Sequence, residues 1–455
     1  MKVRRLLALL LVVLMTVGLA AGCGGNNSTS SDSSDDGSSS SDGKVYYLNF
    51  KPEVSDMWEE IAASYTEETG VEVKVSTAAS GQYETTLKSE MAKSDPPTLF
   101  QINGPIGYQS WKDYCMDLAD TDLYANLTDQ SMAITDGDGV YGIPYVVEGY
   151  GIIYNDAIMQ EYFALADKAV DIGSAEEITD FDTLKDVVED MTAHKDDLGI
   201  DGVFSSTSFS AGEDWRWQTH LANVPIYYEY QDNNTSDMEE IEFTYNENFK
   251  NIFDLYLNNS ITEPGLVGSK TVEDSMAEFA LGKTAMVQNG NWGWGQVSGT
   301  DGNVVEADNV KFLPIYTGMD QDSEQGLCIG TENFFCVNDK VSDADKQATL
   351  DFVDWLITSD KGKAYMVDDL GFISPFSTFS EDEQPEDPLA QEVVKYMSDS
   401  SKTSVSWNFT SFPSQTFKDN FGASLLEYAQ GSKDWDDVVS DMTADWKTEK
   451  EMIAE

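Results

Sequence analysis

KVYYLNFKPEVSDMWEEIAASYTEETGVEVKVSTAASGQYETTLKSEMAKSDPPTLFQIN, running from Lys44 to Asn103, is the stretch whose reading decides the fold. Val45-Tyr46-Tyr47-Leu48 is short, apolar and rich in aromatics, which reads as a strand. From about Ser55, Met57, Trp58, Ile61 and Tyr65 recur at helical spacing until Gly70 stops the run. Val71-Glu72-Val73-Lys74-Val75 alternates as a second strand. A helix over about Gln82 to Lys93 then leads through Pro96-Pro97 into Thr98-Leu99-Phe100-Gln101-Ile102, a third strand that ends at Asn103-Gly104-Pro105. This β-α-β-α-β order predicts an α/β fold with a parallel sheet under helices, and a ligand beyond the carboxyl ends of the strands.

Downstream, Tyr141 to Tyr145 and Gly151 to Asn155 read as two extended runs flanking Glu148-Gly149-Tyr150. Helices are predicted near Asp182 to Lys195, Asn246 to Asn258 and Thr271 to Leu281. Ala285-Met286-Val287 is a buried strand that feeds Gln288-Asn289-Gly290-Asn291-Trp292-Gly293-Trp294. Ser342 caps a further helix, and two more, near Gln415 to Ala429 and from Asp434 onward, close the chain. Asp136-Gly137-Asp138-Gly139 has the opening of a calcium loop, but Val140 takes the third ligand position, so a turn is expected.

Upstream, Lys2, Arg4 and Arg5 precede an uncharged stretch from Leu6 to Ala21, the layout of an export signal. That stretch is short of the about 20 residues a spanning helix needs. Small residues then lead to Cys23, resembling a lipobox with Ala20 where leucine is preferred, so residues 1–22 are expected to be a lipoprotein signal peptide and Cys23 the lipidated first residue. Residues 23–43 form a Ser/Asp/Gly tether that cannot bury apolar surface. Its reach as a flexible chain is roughly 25 Å.

The 455 residues carry 27 Lys+Arg against 82 Asp+Glu, a net charge of −55, which makes nucleic acid and anionic lipid surfaces poor partners. Besides Cys23, only Cys115, Cys328 and Cys336 remain, with His194 and His220, and no spacing suits a metal site or a nucleophile elbow. No cofactor or metal is expected, and Cys328 and Cys336 read as buried thiols.

Four segments together resemble the extracellular solute-binding proteins of family 1, the maltodextrin-binding lipoproteins of ABC-type carbohydrate importers. These are Lys44 to Asn103; Tyr141 to Asp156; Phe279 to Trp294, the most specific; and Ala348 to Pro375, with Gly371-Phe372-Ile373-Ser374-Pro375. The resemblance implies a two-lobed, periplasmic-binding-protein-like (type II) fold whose chain crosses a hinge three times, near Val147, Leu327 and Phe372. Residues 44–147 and 328–372 would then form one lobe, 148–327 and 373–455 the other. It further implies a monomeric binding subunit, not an enzyme, held outside the cytoplasmic membrane of a cell without an outer membrane, which delivers a carbohydrate to permease subunits.

A sugar ring presents apolar faces and a rim of hydroxyls, so its site needs aromatic plates beside acids, amides or lysine. Trp58, Trp355, Trp435 and Trp446 lie on helical apolar stripes and belong to the core, whereas Trp215, Trp217, Trp292, Trp294 and Trp407 lie among polar residues. The resemblance aligns Trp292 with the family's stacking ring, with Asn291 in place of its proline and Trp294 turned inward. It aligns Glu148 with a hydroxyl-binding acid at the first crossing, and Lys51 and Glu53 with a polar pair beyond the first strand. Trp215 and Trp407 are the second-lobe candidates, and topology adds Tyr83 and Asn103 on the rim of the first sheet. Two other readings stay open from the residues alone: a surface glycoside hydrolase using two of these carboxylates, and a binder of a peptide, polyamine or metal complex.

Overall fold

Five consecutive residues of β1, Val45–Asn49, are buried because the strand lies inside a sheet covered on both faces, where an unbroken apolar run is what packing requires. The computed structural model describes residues 43–454 except Ser80 and Glu381. The expected signal peptide, Cys23 and the tether through residue 42 lie outside the described residues.

The first sheet is built from β1, β2 (Val73–Thr77), β3 (Leu99–Asn103), β4 (Ile134–Asp136) and β5 (Gly139–Pro144). The second contains β6 (Glu148–Asn155), β7 (Gly202–Phe204), β8 (Thr284–Gly290), β9 (Val310–Leu313) and β10 (Gln325–Gly330). The chain then returns to the first sheet for β11 (Asn333–Val337) and ends its strands in the second with β12 (Thr403–Ser406). The orders are β2-β1-β3-β11-β5-β4 and β12-β10-β6-β8-β7, with β9 also on β6.

The β1–β2 and β1–β3 pairs are parallel as the opening stretch predicts, but β11 runs antiparallel to both β3 and β5, so the sheet is mixed. The helix Ser55–Thr69 ends at Gly70, and Trp58 and Tyr65 point from it onto Tyr47, Phe352 and Trp355. β2 begins two residues later than the alternation suggests. The Thr69 and Thr66 hydroxyls accept the N–H groups of Val71 and Val73 at the helix exit, and pairing with β1 opens at Val73. Glu148-Gly149-Tyr150 is not a break between two runs: β8 on one side, and β10 followed by β9 on the other, carry β6 through its glycines as one strand.

β10 stays in the second sheet to Gly330, with Cys328 opposite Tyr150, so the return lies beyond Leu327. Phe376 packs in the first sheet's core, and Thr128 N–H and Ser377 N–H bond Pro375 O and Asn126 O at 2.9 and 2.8 Å, whereas Ile373 packs with Ile153 of β6 and Leu327 of β10. The helix Pro388–Ser398 packs into the same apolar cluster as Ile373.

Trp58, Trp355, Trp435 and Trp446 are buried on helices, as their spacing indicates, and Cys115, Cys328 and Cys336 are buried free thiols. Gly137-Asp138 forms the turn between β4 and β5. Among the described residues no helix is long and apolar enough to cross a membrane.

Candidate functional site

Strand ends from both sheets converge on one region. Beyond β1, Asn49 folds the chain back on itself: its Nδ2 donates to Lys51 O at 2.7 Å and its Oδ1 accepts the Lys51 N–H at 3.0 Å. This turn aims the Lys51 ammonium across to the second sheet, where Nζ lies 2.7 Å from Oε1 of Glu148, the first residue of β6. Glu53 Oε1 stands 3.6 Å from the same nitrogen. Lys51 and Glu148 are only 5% and 2% exposed. Burial works against the ammonium, yet the summed pull of Glu148, Glu53 and Glu332 outweighs it and raises the Lys51 pKa, so the side chain stays charged.

An aromatic wall stands beside this pair. The Trp292 ring lies directly on the backbone of Gly290 at the end of β8, where a Cβ would overlap it, and Lys51 Nζ sits 5.6 Å from the ring centre. Trp215 is tilted 51° to Trp292 with ring centres 6.2 Å apart. His220 lies among them, 5.1 Å from Trp215 and 5.6 Å from Trp292, and stacks on Tyr150 at 4.2 Å. Burial, reinforced by Arg216, Lys418 and Lys51, holds His220 neutral, well below the ordinary histidine range. Trp215 stands at the start of the π-helical turn Arg216–Leu221, anchored by the buried Arg216, whose guanidinium bonds Gln288 O and the Ser208 and Ser275 hydroxyls. Flat apolar faces therefore adjoin a charged, hydrogen-bonding floor, the combination a polyhydroxylated ring requires.

The model of the bacterial extracellular solute-binding protein family matches residues 60–392. The chain belongs to that family. Among solved structures, a chitin oligosaccharide binding protein superposes with a TM-score of 0.70 at 16% identity, covering 90% of this chain and 98% of that one. RafE in complex with raffinose gives 0.67 at 17% identity, covering 90% and 99%. Maltose-bound MalE3 of T. maritima gives 0.65 at 15%, covering 89% and 99%. At such identities the likeness shows the fold, which is that of the periplasmic-binding-protein-like α/β proteins. No curated protein matches.

Of the residues predicted for this solute-binding protein, Lys51, Glu53, Glu148, Trp215 and Trp292 come together in one place. Asn103 lies at the end of β3, its Nδ2 donating to Glu332 Oε1 at 3.4 Å. Trp407, 7% exposed, backs the wall: its ring packs on Gly330 and lies 5.5 Å from Tyr150 and 6.4 Å from Trp292. The Tyr83 hydroxyl donates to Leu48 O at 3.3 Å and accepts the Gln101 N–H at 2.7 Å, which fastens β1 to β3. Asn291 Oδ1 accepts the Gly149 N–H at 2.9 Å, tying the Trp292 loop to β6.

The sequence reading missed Glu332, Asn333, His220, Tyr150 and Lys418. The argument that selected Glu148, an acid where the chain passes between lobes, applies equally to Glu332 on the return passage. His220 was weighed only as a metal ligand.

Proposed function

We propose that this chain is the binding subunit of an ABC-type importer, capturing a carbohydrate between its two lobes and presenting it to permease subunits in the membrane. The observation that carries the reading is the Trp215–Trp292 pair set beside the buried Lys51–Glu148 ion pair: rings for sugar faces, charges for sugar hydroxyls. The ligands of similar structures, chitin oligosaccharide, raffinose and maltose, support the same class. Glu148 is clamped by Lys51 at 2.7 Å, which favours a hydroxyl acceptor over a catalytic acid. The sugar is held and released unchanged.

A lipid on Cys23 and the tether through Gly43 would keep the binder at the outer face of the cytoplasmic membrane, within reach of its permease. A thermal-shift screen over mono- and oligosaccharides, with a polyamine and an oligopeptide as controls, tests the ligand class, since a ligand raises Tm with its occupancy. Stabilisation by sugars alone is expected. Stabilisation by the controls alone, or release of sugar products over time, would refute the reading. For the anchor, a Cys23→Ser protein is expected in the medium and the unsubstituted one in the membrane fraction.

A further inference from the structure

β3 and β11 end side by side at the cleft, with Asn103 directly opposite Asn333 in an antiparallel ladder. Residues opposite one another in a ladder project from the same face, so the two amides are neighbours. Asn333 is only 1% exposed, yet its Oδ1 meets no donor among the described residues, and neither does Asn103 Oδ1. The Asn103 amide is oriented by Glu332, which can only accept: Nδ2 faces the carboxylate, leaving the oxygen free. Among the described residues Glu332 itself receives no bond but this long one at 3.4 Å, and no ion pair. Lys51 is already committed to Glu148 and Glu53. Burial pushes the Glu332 carboxyl up, against the pull of Lys418 and Lys51. Two buried amide oxygens without donors therefore converge with a half-buried carboxylate, an arrangement that costs free energy unless a ligand supplies the donors.

A sugar hydroxyl supplies one donor and brings lone pairs that face the remaining acceptors. An ammonium supplies three donors and no lone pair. It also places a positive charge beside the unpaired carboxylate. We propose that Glu332, Asn103 and Asn333 form an acceptor pocket for the free amino group of an amino sugar. This rests on the carbohydrate reading and narrows it.

Titration calorimetry on the full chain, with glucose- and galactose-series mono- and disaccharides in hydroxyl, amino and N-acetylamino forms, is the test. The amino form of the bound sugar is expected to bind about tenfold tighter than its N-acetylated form. That preference needs no variant to measure. In Glu332→Gln, which keeps the shape and removes the charge, the amino and N-acetylamino forms should bind alike. Equal affinities in the unsubstituted protein overturn the proposal and leave the carbohydrate reading standing, as does a preference undiminished in E332Q. Failure of every sugar to bind removes both.

Discussion

Lys51 and Glu148 meet at 2.7 Å although one follows β1 of the first sheet and the other opens β6 of the second. Removing one partner of such a buried pair typically costs about 3–5 kcal/mol. Moving the lobes apart would rehydrate the surviving charge, so the cost should appear in closure more than in global unfolding. Glu148→Ala is expected to weaken sugar binding by about 100-fold and to enlarge the radius of gyration in X-ray scattering. The double variant Lys51→Met, Glu148→Leu should regain compactness without regaining affinity. Unchanged affinity in both would separate the ion pair from the site.

Two tryptophans should respond in opposite ways. Trp292→Ala is expected to abolish ligand-induced quenching of intrinsic fluorescence while leaving the unliganded Tm nearly unchanged, because that ring is only half-buried. Trp446, fully buried against Phe412 and Phe417, should cost about 3–5 kcal/mol on truncation to alanine and leave the affinity of the folded fraction intact. Binding lost in both or in neither would contradict the division between wall and core.

Tyr83→Phe removes one hydroxyl from between Leu48 O and the Gln101 N–H. A buried group left without its partner costs about 1–3 kcal/mol. Urea unfolding should show that loss with sugar affinity unaltered. A variant that folds as well as the parent but binds worse would place Tyr83 in the site.

Stability should fall as pH rises from about 4 through about 6. Burial pushes the carboxyls of Asp214 and Asp387 up to about 6, so the native state keeps protons that the unfolded chain has already released. This contribution is complete below the ordinary carboxylate range and is lost as pH rises through about 6, on the order of 2 kcal/mol for each group. His220, held neutral by burial, pulls the other way below the ordinary histidine range, but it is one group against several raised carboxyls. The net charge of −55 adds self-repulsion as acids ionise. Thermal unfolding across this range, with Asp387→Asn expected to flatten the slope, checks the sign. A Tm that rises over the same range would refute it.

Helices were legible where the apolar period was regular, with or without a side-chain cap. Asn246–Asn258 and Gln415–Ala429 fall on the residues their spacing indicates, and Ser342 does cap Asp343–Thr358. Lys51, Glu148, Trp215 and Trp292 could be named because strand ends and polar surroundings mark them in one dimension. Whether a polar group at such an end turns to the backbone is a matter of tertiary contact, and the bonds of Tyr83 to Leu48 O and of Asn291 to the Gly149 N–H have no local signal. Asn333 stayed invisible for a related reason: its importance comes from lying opposite Asn103, 230 residues earlier in the chain, which no local pattern encodes.

The position of β11 between β3 and β5 has a consequence for how the molecule comes into being. Until Val337 has been synthesised, the first sheet has a slot at its centre, with β3 and β5 each presenting an open edge, and the second sheet waits still longer for β12. Neither half can close early on a chain that emerges N-terminus first. The protein therefore remains threadable for most of its synthesis, and a product cut short before residue 333 would present unpaired edges prone to aggregation.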